Sequence, residues 1–229
     1  MSLTLAVTAY AVYAAFFVRL SWHFLLWMRT SHALMQPYPS GRLRPPLVTR
    51  VLMAIDIVTL RRVFVANGPL WFGSLIFHLS FLFVLLRHVR YFSDPVPACV
   101  QDLQTCGVIA GYLLPASVLW LLALRIVPRG NRYLSWHNYV ILGLTLCIGA
   151  TGLMMRTLFR TDLIAVKLFT MGLLTFHPTA FRDSYLFILH FALVLILVLL
   201  LPSHVFSAPL TTMEARRRED TLRRLMRND

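Results

Sequence analysis

The stretch WFGSLIFHLSFLFVLLRHVRYF, from Trp71 to Phe92, decides the fold class of this chain. It is almost entirely apolar and long enough to cross a bilayer as an α-helix. His78 and His88 interrupt it. A second apolar stretch near the C-terminus, YLFILHFALVLILVLLLPSHVFSAP, repeats the arrangement with His190 and His204. Two membrane helices that each carry two separated histidines indicate two haems, each held by a pair of imidazoles.

The composition as a whole indicates a polytopic helical membrane protein. Of the 229 residues, 58% are hydrophobic and 14% are charged, and the mean hydropathy is +0.69. The apolar runs are continuous, whereas the strands of a transmembrane barrel need an alternating pattern. A net charge of +13 would suggest nucleic acid in a soluble chain. In a membrane protein, arginine-rich loops mark the cytoplasmic side, so no nucleic-acid partner is expected.

Five apolar runs predict an all-α bundle of five membrane-spanning helices, in which residues 1–210 form the membrane domain and 211–229 a charged cytoplasmic tail. The predicted spans are roughly 3–27, 71–92, 105–126, 136–158 and 185–205. The segment 159–184 is too interrupted for a span and is interpreted as a partly interfacial hairpin. The sequence VLMAIDIVTLRRVFVA, at 51–66, predicts an amphipathic helix on the membrane surface, either a docking surface or a plain connector.

The arginines predict the orientation of the spans. They are concentrated in the loops after the first and third spans and in the C-terminal tail. The positive-inside rule therefore places the N-terminus outside and the C-terminus in the cytoplasm. Antiparallel packing of spans two and five then brings His88 beside His190 near the outer face, and His78 beside His204 near the cytoplasm. The separations along the two helices are about 15 Å and about 21 Å, which suits one macrocycle in each leaflet.

The residue type suits electron transfer. Two neutral imidazoles leave no open position on a haem iron, and such a haem passes electrons. Each imidazole also needs a second partner in hydrocarbon, where an unsatisfied polar group costs several kcal/mol. For any single histidine an interhelical hydrogen bond is the plain alternative, and a proton relay is another. Two matched pairs favour haem over both.

Three segments, FHLSFLFVLLRHV, TFHPTAFRDSYLFILH and LLPSHVFSAP, resemble the gamma subunit of respiratory nitrate reductase and the related cytochrome b subunits of the sulfite-reduction-associated complex (DsrM type). The resemblance extends over almost the whole chain. It implies that His88 and His190 hold an outer haem b, and that His78 and His204 hold an inner one. The spacing of the last two ligands is about one helical turn (~3.6 residues) shorter than in the nitrate reductase subunit. A lysine of that subunit's quinone site is also missing, so the DsrM-type branch is favoured.

The same resemblance implies a function and a location. Quinol, as menaquinol or ubiquinol, would be oxidised near the outer haem, and electrons would pass to a cytoplasmic iron–sulfur subunit. Terminal catalysis would belong to partner subunits, in the cytoplasmic membrane of a bacterium or archaeon. The competing hypothesis is a non-redox membrane anchor or a transporter with a histidine relay.

Further candidate residues lie at the edges of the spans. Haem propionates need cations there, although an arginine at a span edge is more often a plain interfacial anchor. The candidates are Arg19, Arg87, Arg90, Arg125 and Arg182. His177 is a candidate quinol-proton acceptor because histidine titrates near neutral pH, although it is equally a surface histidine. Gln104 and Asp94 complete the quinone-site candidates. Cys99 and Cys106 share one outer connection and could pair, and the pair Gly107 and Gly111 predicts close helix approach.

Overall fold

A computed structural model describes residues 2–33, 47–126, 136–179 and 184–204. Within these ranges the chain is helical and contains no strand, which confirms the all-α prediction. The helices are α1 (Ser2–Ala33), α2 (Leu47–Val58), α3 (Arg61–Ala66), α4 (Gly68–His88), α5 (Ala98–Asp102), α6 (Gln104–Ile126), α7 (Trp136–Thr157), α8 (Leu163–Leu174) and α9 (Tyr185–His204). A 3₁₀ turn, Val89–Tyr91, continues α4.

Five of these helices are long and apolar enough to cross a membrane. The candidate spans are Leu3–Arg29, Gly68–Tyr91, Gln104–Ile126, Trp136–Thr157 and Tyr185–His204. They confirm the five predicted spans with small shifts at the ends. The second span starts at Gly68 because the Asn67 side chain accepts the backbone N–H of Leu70 at 3.0 Å and so caps α4. The orientation of the spans stays a prediction, and the tail 211–229 lies outside the described residues.

The chain divides into two compact units, one of residues 1–13 with 72–198 and the other of 14–71 with 199–229. The core of the first unit joins the start of α1 to α8 and α9. Phe169 of α8 is fully buried and meets Phe187 and Phe191 of α9 edge to face, with ring centroids 5.8 and 5.6 Å apart. Ala6 and Ala9 complete this core from α1. Small residues on one helix against aromatic rings on the next allow close van der Waals packing, which drives helix association in lipid.

The segment 159–184, interpreted from the sequence as a partly interfacial hairpin, contains helix α8, and its position relative to the membrane stays a prediction. This helix has 12 residues and is apolar, and the face that packs against the rest of the unit is buried. Asp162 starts it, because its Oδ1 accepts the backbone N–H groups of Ile164 at 2.8 Å and Ala165 at 3.4 Å. At 12 residues the helix is shorter than the ~20 that a span needs.

The segment 51–66, predicted as one amphipathic surface helix, is helical but is divided into two helices in the second unit. Helix α2 ends at Val58, and Leu60 takes a left-handed conformation with φ 52° before α3 begins. Asp56 is 3% exposed, and its carboxylate oxygens lie 3.9 Å from Arg61 Nη1 and from Arg62 Nε. These ion pairs join the end of α2 to the start of α3 across the break.

In the first unit, close packing occurs at one of the two predicted glycines and also at a third glycine. A Cβ at Gly107 would lie 2.9 Å from the Arg87 side chain, but a Cβ at Gly111 would meet nothing within 4 Å. The prediction therefore holds for Gly107 only. A Cβ at Gly149 of α7 would lie 3.3 Å from Pro115 of α6, so these two helices pack closely at that point.

Candidate functional site

His88 and His190 lie in the same compact unit. His88 is the last residue of α4, and its Nδ1 is 2.6 Å from the backbone oxygen of Val84. His190 of α9 is half-buried, and its Nδ1 is 2.9 Å from Thr151 Oγ1 on α7. Both histidines that the sequence predicted as outer ligands therefore lie in one unit, and their pairing stays a prediction.

The other two predicted ligands belong to different units. His78, on α4 in the first unit, is exposed, with Nδ1 2.7 Å from the backbone oxygen of Ser74 and its ring edge-on to Phe77. His204 is half-buried at the end of α9 and belongs to the second unit. The pairing of His78 with His204 as haem ligands stays a prediction.

The hydrogen bonds of these imidazoles fit axial ligation of haem. In His78, His88 and His190 the Nδ1 atom faces a protein oxygen. When Nδ1 carries the proton and donates it, Nε2 keeps its lone pair for a metal. Among the described residues no group of three or more His, Cys, Asp or Glu side chains is placed to hold a metal ion. A bis-imidazole haem needs only two protein ligands, so this donor set suits haem better than a bare ion.

Arg125, at the end of α6, is the propionate candidate whose guanidinium group has two nitrogens without a hydrogen-bond partner among the described residues. Its Nε and Nη1 atoms are buried and find no hydrogen-bond partner within the described part of the chain. A buried guanidinium is costly without a counter-charge. A carboxylate such as a propionate would satisfy it.

Arg87 and Arg90, which lie at the predicted outer face, have protein partners. Arg87 donates from Nη1 to the backbone oxygen of Val100 at 2.7 Å and from Nη2 to Gln104 Oε1 at 3.3 Å. Arg90 donates to the Tyr91 hydroxyl and lies 4.6 Å from the centroid of that ring. Arg87 therefore ties α4 to the start of α6, and two predicted site residues, Arg87 and Gln104, bond to each other.

The remaining arginine candidates are Arg19 and Arg182. Arg19, in the second unit, is exposed and donates from Nη1 to the backbone oxygen of Leu199 at 3.0 Å. It lines an open groove of about 630 Å³ along α1, together with Trp22 and His23. Arg182 lies outside the described residues.

Two of the three quinone-site candidates, Asp94 and His177, lie at α8 or just beyond its end. Asp94 Oδ1 accepts from Lys167 Nζ of α8 at 3.0 Å. His177 is exposed just beyond the end of α8, with Nδ1 2.7 Å from the backbone oxygen of Thr175. Gln104 is bonded to Arg87 as described above. The structure therefore gives each of the three candidates a different partner.

His177 sits on a tight helix end. Its backbone N–H donates to the oxygen of Gly172 at 2.8 Å, while Phe176, at φ 59°, donates to the oxygen of Leu173 at 3.4 Å. These two bonds form a Schellman motif with a left-handed residue at its usual place. The Phe176 ring stacks on Tyr10 of α1, with centroids 5.4 Å apart. The turn that presents His177 is therefore held by the two backbone hydrogen bonds and by the stacking of Phe176 on Tyr10.

Sequence reasoning missed three residues of this region. Thr151 contacts His190 across a helix interface, and Tyr91 lies edge-on to His88 with ring centroids 5.8 Å apart. Lys167 pairs with Asp94. The lysine had a signal, because it is the only lysine in the chain. Thr151 had no such signal in the sequence, because threonine that bonds its own helix is common in apolar helices.

Cys99 and Cys106 are both free and exposed.

Comparison with known proteins points to membrane cytochromes. No family model matches the chain, and no solved structure matches it. It is similar to proteins named Hdr-like menaquinol oxidoreductase cytochrome b-like subunit from Archaeoglobus profundus, at 32% identity, and Archaeoglobus fulgidus, at 36%. Each match covers 58% of this chain and 44% or 45% of the relative. The chain thus matches less than half the length of these curated relatives, and neither is named as a nitrate reductase subunit.

Proposed function

We propose that this chain is the membrane cytochrome b subunit of a quinol oxidoreductase complex. It would accept electrons from menaquinol or another quinol at the outer face and pass them to an iron–sulfur partner subunit in the cytoplasm. Five apolar helices and the named relatives support a multi-pass membrane subunit of a redox complex. The cytoplasmic membrane of a bacterium or archaeon is the proposed location.

One observation carries the proposal, namely the pair His88 and His190 in one unit with Nδ1 engaged on each ring. This arrangement leaves both Nε2 atoms free to hold haem b between α4 and α9. His78 and His204 are proposed to hold a second haem b toward the cytoplasm. When bound, bis-imidazole haem supplies one-electron transfer without an open position for oxygen. The protein residues supply ligands, fixed ring orientations and an apolar surround.

The quinol would bind at the outer face beside α8. His177 is exposed on its fixed turn and is the proposed proton acceptor, since histidine exchanges protons near neutral pH. Lys167 of α8 forms an ion pair with Asp94 of the connection that follows α4. Arg125, whose two buried nitrogens lack a partner within the described residues, would bind a propionate.

Ligand replacement tests the proposal on purified full-length protein. The wild type should show a reduced-minus-oxidised haem b spectrum and about two haems per chain. His88→Ala and His190→Ala should each lose the same haem, while His78→Ala and His204→Ala should each lose the other. His137→Ala, at the start of α7, is a histidine control that should keep both. A wild-type protein without a haem b alpha band, or four ligand variants with full haem content, would contradict the proposal.

A further inference from the structure

His190 differs from His78 and His88 in what holds its ring. The latter two use a carbonyl one turn earlier on their own helix, at 2.7 Å for His78 and 2.6 Å for His88. His190 instead meets the Thr151 hydroxyl of α7 at 2.9 Å. The orientation of this imidazole therefore depends on a neighbouring helix.

The hydroxyl of Thr151 accepts from His190 Nδ1–H when its own proton points to another acceptor. It is 2.9 Å from the backbone oxygen of Cys147 and 3.0 Å from that of Ile148. A hydroxyl has one proton, and bonding to a carbonyl of its own helix uses it. Oγ1 is then left as an acceptor for the Nδ1–H of His190. This chain of two bonds favours the tautomer whose Nε2 is unprotonated.

Close packing holds Thr151 in place. The residue is 8% exposed, and a Cβ on the adjacent Gly152 would lie 3.4 Å from His190 Cε1. Helix α7 is itself packed on α6 where Gly149 meets Pro115. On α9, the next residue, Phe191, packs against Phe169 of α8. Both partners of the bond are thus fixed by separate contacts.

We propose that Thr151 is a positioning residue for the outer haem, which orients His190 and strengthens it as a ligand by accepting its Nδ1–H. This inference rests on the proposed function. An acceptor on the far nitrogen raises the basicity of a ligating imidazole and fixes its plane. A more basic ligand favours the oxidised iron, so loss of the acceptor should raise the midpoint potential of that haem alone.

Thr151→Val is the direct test because it keeps the shape and removes the hydroxyl. Thr145→Val is the matched control, since Thr145 is 2% exposed on the same helix and its hydroxyl bonds the backbone oxygen of Ile141 at 2.8 Å. Potentiometric titration of the purified full-length protein should show one haem at a raised potential in Thr151→Val and both unchanged in Thr145→Val. Haem retention on dilution should fall roughly 10-fold, which is the lower end for loss of such partners.

Thr151→Ser should restore the wild-type potential because it keeps the hydroxyl. The low-spin electron paramagnetic resonance signal of the same haem should change in Thr151→Val, since it reports the orientation of the imidazole planes. If Thr151→Val does not fold, Thr151→Ala against Thr151→Ser makes the same comparison. Equal potentials and signals in the hydroxyl-free variant and Thr145→Val would overturn the inference, while a two-haem wild type would keep the proposed function.

Discussion

At the scale of single residues, Arg125 is the charge that the described protein leaves least satisfied. Two of its guanidinium nitrogens are buried without a partner within the described residues. Removal of a cation from water is expensive, and only an anion or several acceptors can offset the cost. The residue should therefore destabilise the chain without haem and stabilise the chain that holds a propionate.

Arg125→Met is expected to act in opposite directions on these two forms. The haem-free protein should melt at a higher temperature, because an unpaired buried charge is gone. The haem-loaded protein should lose haem faster, because the propionate loses its counter-charge. Arg160→Met is the control, since Arg160 is exposed beyond α7. Thermal unfolding and haem loss measured on both forms check the prediction, and a change of the same sign in both would contradict it.

At the scale of helices, apolar length decided what could be predicted. The five spans follow from runs of about 20 apolar residues. Helix α8 was not predicted because its 12 residues are too few for a span and Lys167 interrupts them. The break at Leu60 was not predicted because the sequence has neither glycine nor proline at that point. The contact between Thr151 and His190 depends on how α7 is rotated against α9, and an almost uniformly apolar sequence does not encode that rotation visibly.

The end of α8 provides a test of how tightly a helix terminus is packed. A Cβ at Gly172 would lie 2.6 Å from the backbone oxygen of His177 and 3.2 Å from the backbone nitrogen of Thr179. Gly172→Ala should therefore destabilise the protein by about 1–3 kcal/mol through overpacking. Gly111→Ala is the control because a Cβ there meets nothing within 4 Å, and alanine in a helix interior gains roughly 0.5–1 kcal/mol. Thermal unfolding in detergent distinguishes them, and equal melting temperatures would refute the expected clash.

At the scale of the whole molecule, orientation in the membrane decides which haem faces the quinol. It was predicted from the loop arginines alone. Cys99 provides a direct probe, because it is free and exposed in the short connection between the second and third spans. That connection is predicted to lie outside.

A chain whose only cysteine is Cys99, with Cys106 and Cys147 replaced by serine, should react with a membrane-impermeant maleimide in intact cells. A chain that keeps only Cys147, midway along α7, should stay unlabelled because lipid shields it. Labelling of Cys99 only after the cells are opened would reverse the predicted orientation. It would also move the proposed quinol site to the cytoplasmic side.

The ion pair of Lys167 with Asp94 has a practical consequence for the whole molecule. Lys167 carries the only side-chain amine in the sequence, and 29% of its side chain is exposed. Amine coupling to a carboxylated electrode would therefore attach the side chains of this protein at one defined place, in the first half of α8. With the N-terminal amine blocked, immobilised molecules would share one direction, so voltammetry could compare electron entry at that end with entry in randomly adsorbed films.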